Sequence, residues 1–415
     1  MAKKTIFLDN LKILYISYDG MTDPLGQSQV IPYLQGLSAA GHRITLLSAE
    51  KESAFKKLET VIKAIFDKAG INWKPLPYTS RPPVISTIKD IRQLRANAFK
   101  EIRENGIEVV HCRSYISALV GLSAKRKFGV KFVFDMRGFW ADERIDGGIW
   151  NLKNPLFRLI YNFFKQKEKQ FLKEADAVIT LTENARNEIL SWKSFSKIPL
   201  TVIPCCADLD LYSRSQIDPE KLDSLRQNLK IPPGAFVLSY LGSLGTWYLM
   251  DEMLLFFKQL LLRDTQAVFL FITKDNKEMV IEAARRIGIP DSQLFITAAD
   301  RSEVPLYAAL SNASIFFIKP LYSKKASSPT KMGELMALGI PLICNSNVGD
   351  VESIISDNAN GIIVHEFTET EFNKVLDDLP SLLSADPSRN IICANKYYSL
   401  KEGVKTYLKV YESLM

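Results

Sequence analysis

The 415-residue sequence contains no run of roughly 18 uncharged apolar residues, which excludes a membrane-spanning helix read from hydropathy. It has no low-complexity tract and no repeat with a period of about 20–50 residues, which excludes solenoids and disordered chains. Its five cysteines (Cys112, Cys205, Cys206, Cys344, Cys393) show no metal-ligand spacing and leave an odd one over. They are expected to be free buried thiols in a reducing compartment. Histidine is scarce: His42, His111 and His365 are the only three. The N-terminal "MAKKTIFLDNLKILYIS" interrupts its apolar run with Asp9, Asn10 and Lys12 and lacks a small-residue cleavage site, so no signal peptide is expected.

What remains is ordinary globular material, 47% hydrophobic and 24% charged, long enough for two domains. The net charge of +7 is unevenly spread. Residues 1–200 carry 32 basic against 20 acidic residues, whereas the remainder carries 21 against 26. A basic first half suits an anionic partner: a phosphate-bearing acceptor, acidic lipid headgroups or nucleic acid. Plain solubility is the competing account.

Short β-branched and aromatic runs alternate with amphipathic stretches. "LKILYIS", "RITLLS", "VVHC", "KFVFDMR", "AVITLT" and "TVIPC" read as strands, with helices such as "QVIPYLQGLSAAGH" between them. After the polar "DPEKLDSLRQNLKIPPGA" the alternation restarts with "FVLSYLGS", "AVFLFIT", "QLFITAA", "IFFIKP", "PLICN" and "GIIVH". This predicts two doubly wound α/β domains, residues 1–205 and 233–392, a linker at 206–232 and a helical tail at 393–415. Ligands of such sheets sit at the carboxyl ends of the strands, so a cleft between facing domains is the expected site.

Several strand ends carry chemistry. "YDGMTDPLGQSQ" places Gly26, Gln27 and Ser28 at a helix opening, suited to an anion but equally a set of turn residues. "VVHCRS" ends on His111 and Arg113, and His111 is either cleft-facing or a buried hydrogen-bonded ring. "FDMRGFWADER" offers Asp135, Arg137 and an exposed-looking Phe139–Trp140 pair for a sugar. An Asp135–Arg137 brace explains the same residues. "NLKNPLFRLIYNFFKQKEKQFLKEA" is basic and amphipathic, for an anionic membrane surface or as a core helix with a solvated back. The D-x-D of Asp208 and Asp210 matches a metal motif by chance often, and no metal is expected. In "SSPTKMGELMALGIPLICN", Ser328 can cap a helix opened by Pro329. Free N–H groups, Thr330 and Lys331 can hold a diphosphate, and Glu334 a vicinal diol. A capped helix with a surface glutamate is the alternative.

Taken together, "KILYIS…GQSQVIPYLQGLSAAGHRITLLS", "VITLTENARNEI", "TVIPCCADLDLY" and "SPTKMGELMALGIPLICN" resemble the retaining glycosyltransferase family numbered four, over nearly the whole chain. The resemblance implies the GT-B fold, two Rossmann-like domains across a cleft with the tail helix crossing back to the first. It also implies transfer of a sugar from a nucleotide-diphosphate sugar to a glycan or lipid-linked acceptor. Configuration would be retained with no essential metal or cofactor, in the assembly of a cell-surface polysaccharide. The enzyme would be cytoplasmic or peripheral on the cytoplasmic membrane face, with no nucleic-acid partner. His111, Lys331 and Glu334 would be catalytic. Gly26, Gln27, Gly242, Ser243, Gly245, Lys274, Arg301, Ser328, Pro329 and Thr330 would bind the donor, and Arg113, Asp135, Arg137 and Trp140 the acceptor or sugar. Two positions depart from the family pattern. Ala326 stands where the first glutamate of Glu-x7-Glu belongs. Trp247 and Tyr248 stand where an Arg and a Lys usually follow the first donor-domain strand, so compensating cations are sought among Lys274, Arg301, Lys319, Lys324 and Lys325. An inactive transferase-like binding subunit and a nucleotide-sugar epimerase of the same fold are the competing readings.

Overall fold

A computed structural model describes residues 10–358 and 361–415. The N-terminal segment read above for a leader lies largely outside them. The chain forms two compact units: Met1–Pro204 with Leu400–Met415, and Cys205–Ser399.

The first unit is built on seven parallel strands: β1 (Lys12–Ser17), β2 (Arg43–Glu50), β3 (Asn72–Pro77), β4 (Val109–Arg113), β5 (Lys131–Asp135), β6 (Ala177–Thr180) and β7 (Leu200–Val202). Their spatial order is β3-β2-β1-β4-β5-β6-β7. Chain order reverses direction between β1 and β4, which makes that gap the switch point of a doubly wound sheet. The strands β1 and β4 are almost wholly buried, as strands covered by helices on both faces must be. Only β3 escaped the sequence reading: it carries Pro75 and Pro77, and proline is tolerated only at a sheet edge, where β3 lies.

The second unit has six parallel strands: β8 (Val237–Leu241), β9 (Val268–Ile272), β10 (Leu294–Thr297), β11 (Ala313–Phe316), β12 (Leu342–Asn345) and β13 (Gly361–Val364). They are ordered β10-β9-β8-β11-β12-β13, with the switch point between β8 and β11. Runs such as "VLSYL" and "VFLFI" are buried along their whole length in one continuous core.

The segment 206–232 is part of the second unit rather than a free linker. It holds the helix Pro219–Asn228, and Tyr212 and Ile231 are buried in the second core. The tail divides earlier than its composition suggested. The helix Ser388–Tyr398 belongs to the second unit, and only the helix Leu400–Glu412 belongs to the first. There Tyr407 and Tyr411, one turn apart, face inward: Tyr407 donates to Asp135 Oδ2 at 3.0 Å, and the Tyr411 hydroxyl meets His111 Nδ1 at 2.8 Å.

Candidate active site

In the second unit the predicted donor residues gather at the carboxyl ends of β8–β11. Gly242, Ser243 and Gly245 form the loop after β8, Lys274 follows β9, and Arg301 follows β10. Ser328–Thr330 lead into the helix Thr330–Ala337 that follows β11. Lys331 and Glu334 therefore stand at the switch point itself.

Lys331 is buried. Its Nζ donates to the Tyr240 hydroxyl at 3.1 Å and lies 3.8 Å from the Tyr248 ring centre and 4.2 Å from that of Tyr240. It makes no ion pair with a carboxylate among the described residues. Burial pulls its pKa down to about 7, against a smaller opposing pull from Glu334. Gly242 is at φ 113°, and a Cβ there would come within 3.0 Å of Lys331 Nζ. Both the backbone angle and the lysine thus ask for glycine. Burial raises the Glu334 carboxyl, partly offset by a hydrogen bond from Tyr212 and by Arg301 and Lys331. Tyr212 and Tyr240 were not singled out in the sequence, where a lone tyrosine in an apolar run gives no signal.

Other expectations need correction. Ser328 does not cap the helix; Pro329 occupies the cap position, and Ser328 Oγ accepts from the Cys205 N–H at 3.0 Å. Lys274 is exposed and paired with Asp300 at 2.8 Å, and Arg301 is exposed. Of the proposed replacement cations, Lys324 is buried with its Nζ 3.6 Å above the Trp247 ring, while Lys325 lies over Tyr322. The aromatic pair that replaces the usual bases therefore receives two lysines, one on each ring: Lys324 on Trp247 and Lys331 on Tyr248. Attraction of an ammonium to a ring face is strongest when both are desolvated.

In the first unit His111 is enclosed. It lies two residues before the end of β4, its ring tilted against that of Tyr15 with centres 4.5 Å apart and its Nε2 3.5 Å from Asp135 Oδ2. Burial lowers its pKa, with Asp135 opposing. The buried, hydrogen-bonded alternative is what the structure shows. The strand-end residue is instead Arg113, whose Nε donates to Asp19 Oδ2 at 3.3 Å across the switch point between β1 and β4. Asp135 is buried beside Arg137 (3.8 Å) and His111; burial would raise it, but the Arg137 guanidinium and the hydrogen bond with His111 hold it below the usual carboxylate range. It is the brace of its loop, and Arg137, at φ 54°, carries the backbone strain such loops concentrate. Phe139 is fully buried against Trp192 rather than exposed. Trp140 is half-buried in an aromatic cluster with Tyr115, Trp150 and Phe164, under the Arg144 guanidinium.

Gly26 and Gln27 lie in a loop and short helix organised from within. A Cβ on Gly26 would fall 2.2 Å from the Gly20 carbonyl oxygen, and Gln27 Nε2 donates to the Thr22 carbonyl. Glu50, at the end of β2, accepts from the N–H groups of Met21 and Thr22 and from the hydroxyls of Thr22 and Ser48. A carboxylate closing the run "RITLLSAE" was the available signal for it. Asp208 Oδ1 accepts from the Leu211 N–H, which gives the D-x-D a turn role. Among the described residues no group of three His, Cys, Asp or Glu side chains could hold a metal ion.

Comparison with known proteins matches residues 29–211 to the model of Glycosyltransferase Family 4 and residues 222–396 to that of Glycosyl transferases group 1. The chain belongs to this glycosyltransferase family. It is 22% identical over 267 residues to D-inositol 3-phosphate glycosyltransferase 2 of Catenulispora acidiphila, covering 62% of this chain and 58% of the relative. It is 28% identical over 201 residues to alpha-monoglucosyldiacylglycerol synthase of Streptococcus pneumoniae, covering 47% of this chain and 43% of the relative. The matches thus span about half of the curated relatives' length. The Anabaena HepE structure, in complex with UDP and glucose, superposes with a TM-score of 0.66 at 12% identity, over 97% of this chain and 99% of that one. That likeness establishes the GT-B fold.

Proposed function

We propose that the chain transfers a sugar from a nucleotide-diphosphate sugar to a glycan or lipid-linked acceptor, with retention of configuration and without an essential metal. One observation carries this reading. Lys331 is a buried ammonium that makes no ion pair among the described residues, held on aromatic faces at the switch point where doubly wound sheets bind ligands. A diphosphate supplies the missing negative charge.

In the reaction the bond between the anomeric carbon and the diphosphate oxygen breaks. The acceptor oxygen bonds to that carbon on the same face, and its proton leaves with the diphosphate. Lys331 and the backbone N–H groups at the start of its helix stabilise the charge that grows on the leaving group. Glu334 is placed to accept hydrogen bonds from a ribose diol. The turn role of Asp208 supports metal independence, since the one D-x-D is otherwise engaged. The similarity to a D-inositol 3-phosphate glycosyltransferase and to an alpha-monoglucosyldiacylglycerol synthase supports a phosphorylated or lipid acceptor, and a lipid acceptor would put the reaction at the cytoplasmic membrane face.

Titration calorimetry with UDP, GDP and ADP tests the donor site. One of them is expected to bind the wild type and to lose at least tenfold in affinity in Lys331→Ala and in Glu334→Ala. Absence of binding by all three to folded protein would overturn the reading. Ala326, in place of the first glutamate, favours one alternative, a binding subunit without transferase activity. Nucleotide binding without sugar release or transfer across a panel of lipid and glycan acceptors would select it.

A further inference from the structure

The helix Pro155–Glu174 is held to the first unit by a buried polar cluster. Glu168, buried, is ion-paired with Lys165 Nζ at 2.6 Å and accepts from the Tyr115 hydroxyl. Lys165 also reaches Asp142 at 2.9 Å, and Tyr161 donates to the same carboxylate at 2.9 Å. Phe164, Phe171 and Leu172 pack beneath. A buried charge pair fixes orientation, because any rotation of the helix would strand an uncompensated charge.

The face left outward is not the polar one such anchoring normally serves. Leu159 is 68% exposed, Leu156 51% and Phe163 42%, and Ile149 in the preceding loop is 52% exposed. At about 100° per residue, the three helical positions fall within an arc of roughly 60°. Beside that arc stand Arg158, Lys169 and Lys173, all exposed. Between Pro155 and Lys173 the only acidic residue is Glu168, which is buried; Glu174 is bound to Arg126. Lys167 Nζ lies 5.7 Å from the Phe163 ring centre, its stem along the apolar edge.

We propose that this edge is a docking face for an anionic lipid bilayer. Leu156, Leu159, Phe163 and Ile149 enter the headgroup–acyl boundary, and Arg158, Lys169 and Lys173 meet the lipid phosphates. The apolar arc selects a bilayer over nucleic acid, and the one-sided positive charge opposes pairing with a second copy of the same face. The inference rests on the membrane-face reading above and locates it in the chain.

The test is sedimentation of the full chain with vesicles of phosphatidylglycerol and phosphatidylcholine, against vesicles of phosphatidylcholine alone. The wild type is expected to partition onto the anionic vesicles and to be released by salt. Leu159→Glu with Phe163→Glu should lower partitioning at least tenfold. Arg158→Gln with Lys169→Gln and Lys173→Gln should lower it on the order of a hundredfold, at about fivefold per charge. Nucleotide affinity should be unchanged in both variants, which separates failure here from failure of the donor site and shows that the variants fold. Wild type that ignores anionic vesicles, or variants that bind as the wild type does, would overturn the proposal. So would a dimer in solution that Leu159→Glu dissociates, since the edge would then cover a second copy.

Discussion

Lys331 Nζ stands 3.8 Å from the centre of the Tyr248 ring and donates to the Tyr240 hydroxyl at 3.1 Å, with no ion pair among the described residues. An ammonium in that setting is stabilised by ring faces and one hydroxyl, and these do not replace the water it has lost. The side chain is therefore poised to release its proton near neutrality unless an anion joins it.

Ligand affinity should follow that proton. With the free-protein pKa at about 7, nucleoside diphosphate affinity should weaken about tenfold per pH unit above pH 7, and should also fall below about pH 6, where the terminal phosphate takes up a proton. Calorimetry at pH 8 in buffers of different ionisation enthalpy should record proton uptake on binding. Lys331→Met should bind weakly at every pH and show no uptake. An affinity that stays level up to pH 9 in the wild type would remove Lys331 from the diphosphate site.

The same group shapes stability in the empty protein. Its folded pKa of about 7 lies below the ordinary lysine value of 10.5, so between these values the unfolded chain binds more protons. Stability therefore rises with pH across that window and is lowest below pH 7. The full cost at acid pH is on the order of 5 kcal/mol. Lys331→Met, which keeps the apolar stem, should raise the melting temperature at pH 6 and flatten the climb toward pH 10.

Glu50 is expected to be the main fastening of the loop after β1. Glu50→Ala leaves two backbone N–H groups and two hydroxyls without their acceptor. The loss should be about 3 kcal/mol in urea unfolding, as for buried donors deprived of a charged partner. Hydrogen exchange should localise the loosening to residues 20–27.

The helix Leu400–Glu412 meets the first unit at a glycine. A Cβ on Gly36 would lie 2.6 Å from Val404 Cγ2, and valine has little rotamer freedom to withdraw. Gly36→Ala should destabilise the protein by about 1–3 kcal/mol. Val404→Ala in the same chain should restore most of it, whereas the same change at an outward position of the helix should restore nothing.

Strand identity was legible wherever an uninterrupted apolar run signalled a covered strand, as in "VLSYL". It was hidden in β3, whose two prolines mask an edge strand. Lys331 and Glu334 were legible because a proline–helix–glycine frame sets their spacing. Phe139 was misjudged, and His111 was left between two readings, for a common reason. Neighbouring charges, Arg137 and Asp142 in one case and Arg113 in the other, suggest exposure. The partners that enclose these residues come from far along the chain. Trp192 is more than fifty residues from Phe139, and Tyr411 lies three hundred residues from His111. Burial by a distant element leaves no local trace.

The second unit begins at Cys205 and ends at Ser399, and these ends are tied together: Ala207 pairs with Ser399 in a parallel bridge, and its N–H donates to the Tyr398 carbonyl at 2.8 Å. Entry and exit thus share one doorway. A segment so arranged is a cassette, removable at a single locus and open to ring closure by a short peptide. Exchanging residues 205–399 as one block between relatives should carry nucleotide preference with it and leave the host's acceptor choice in place.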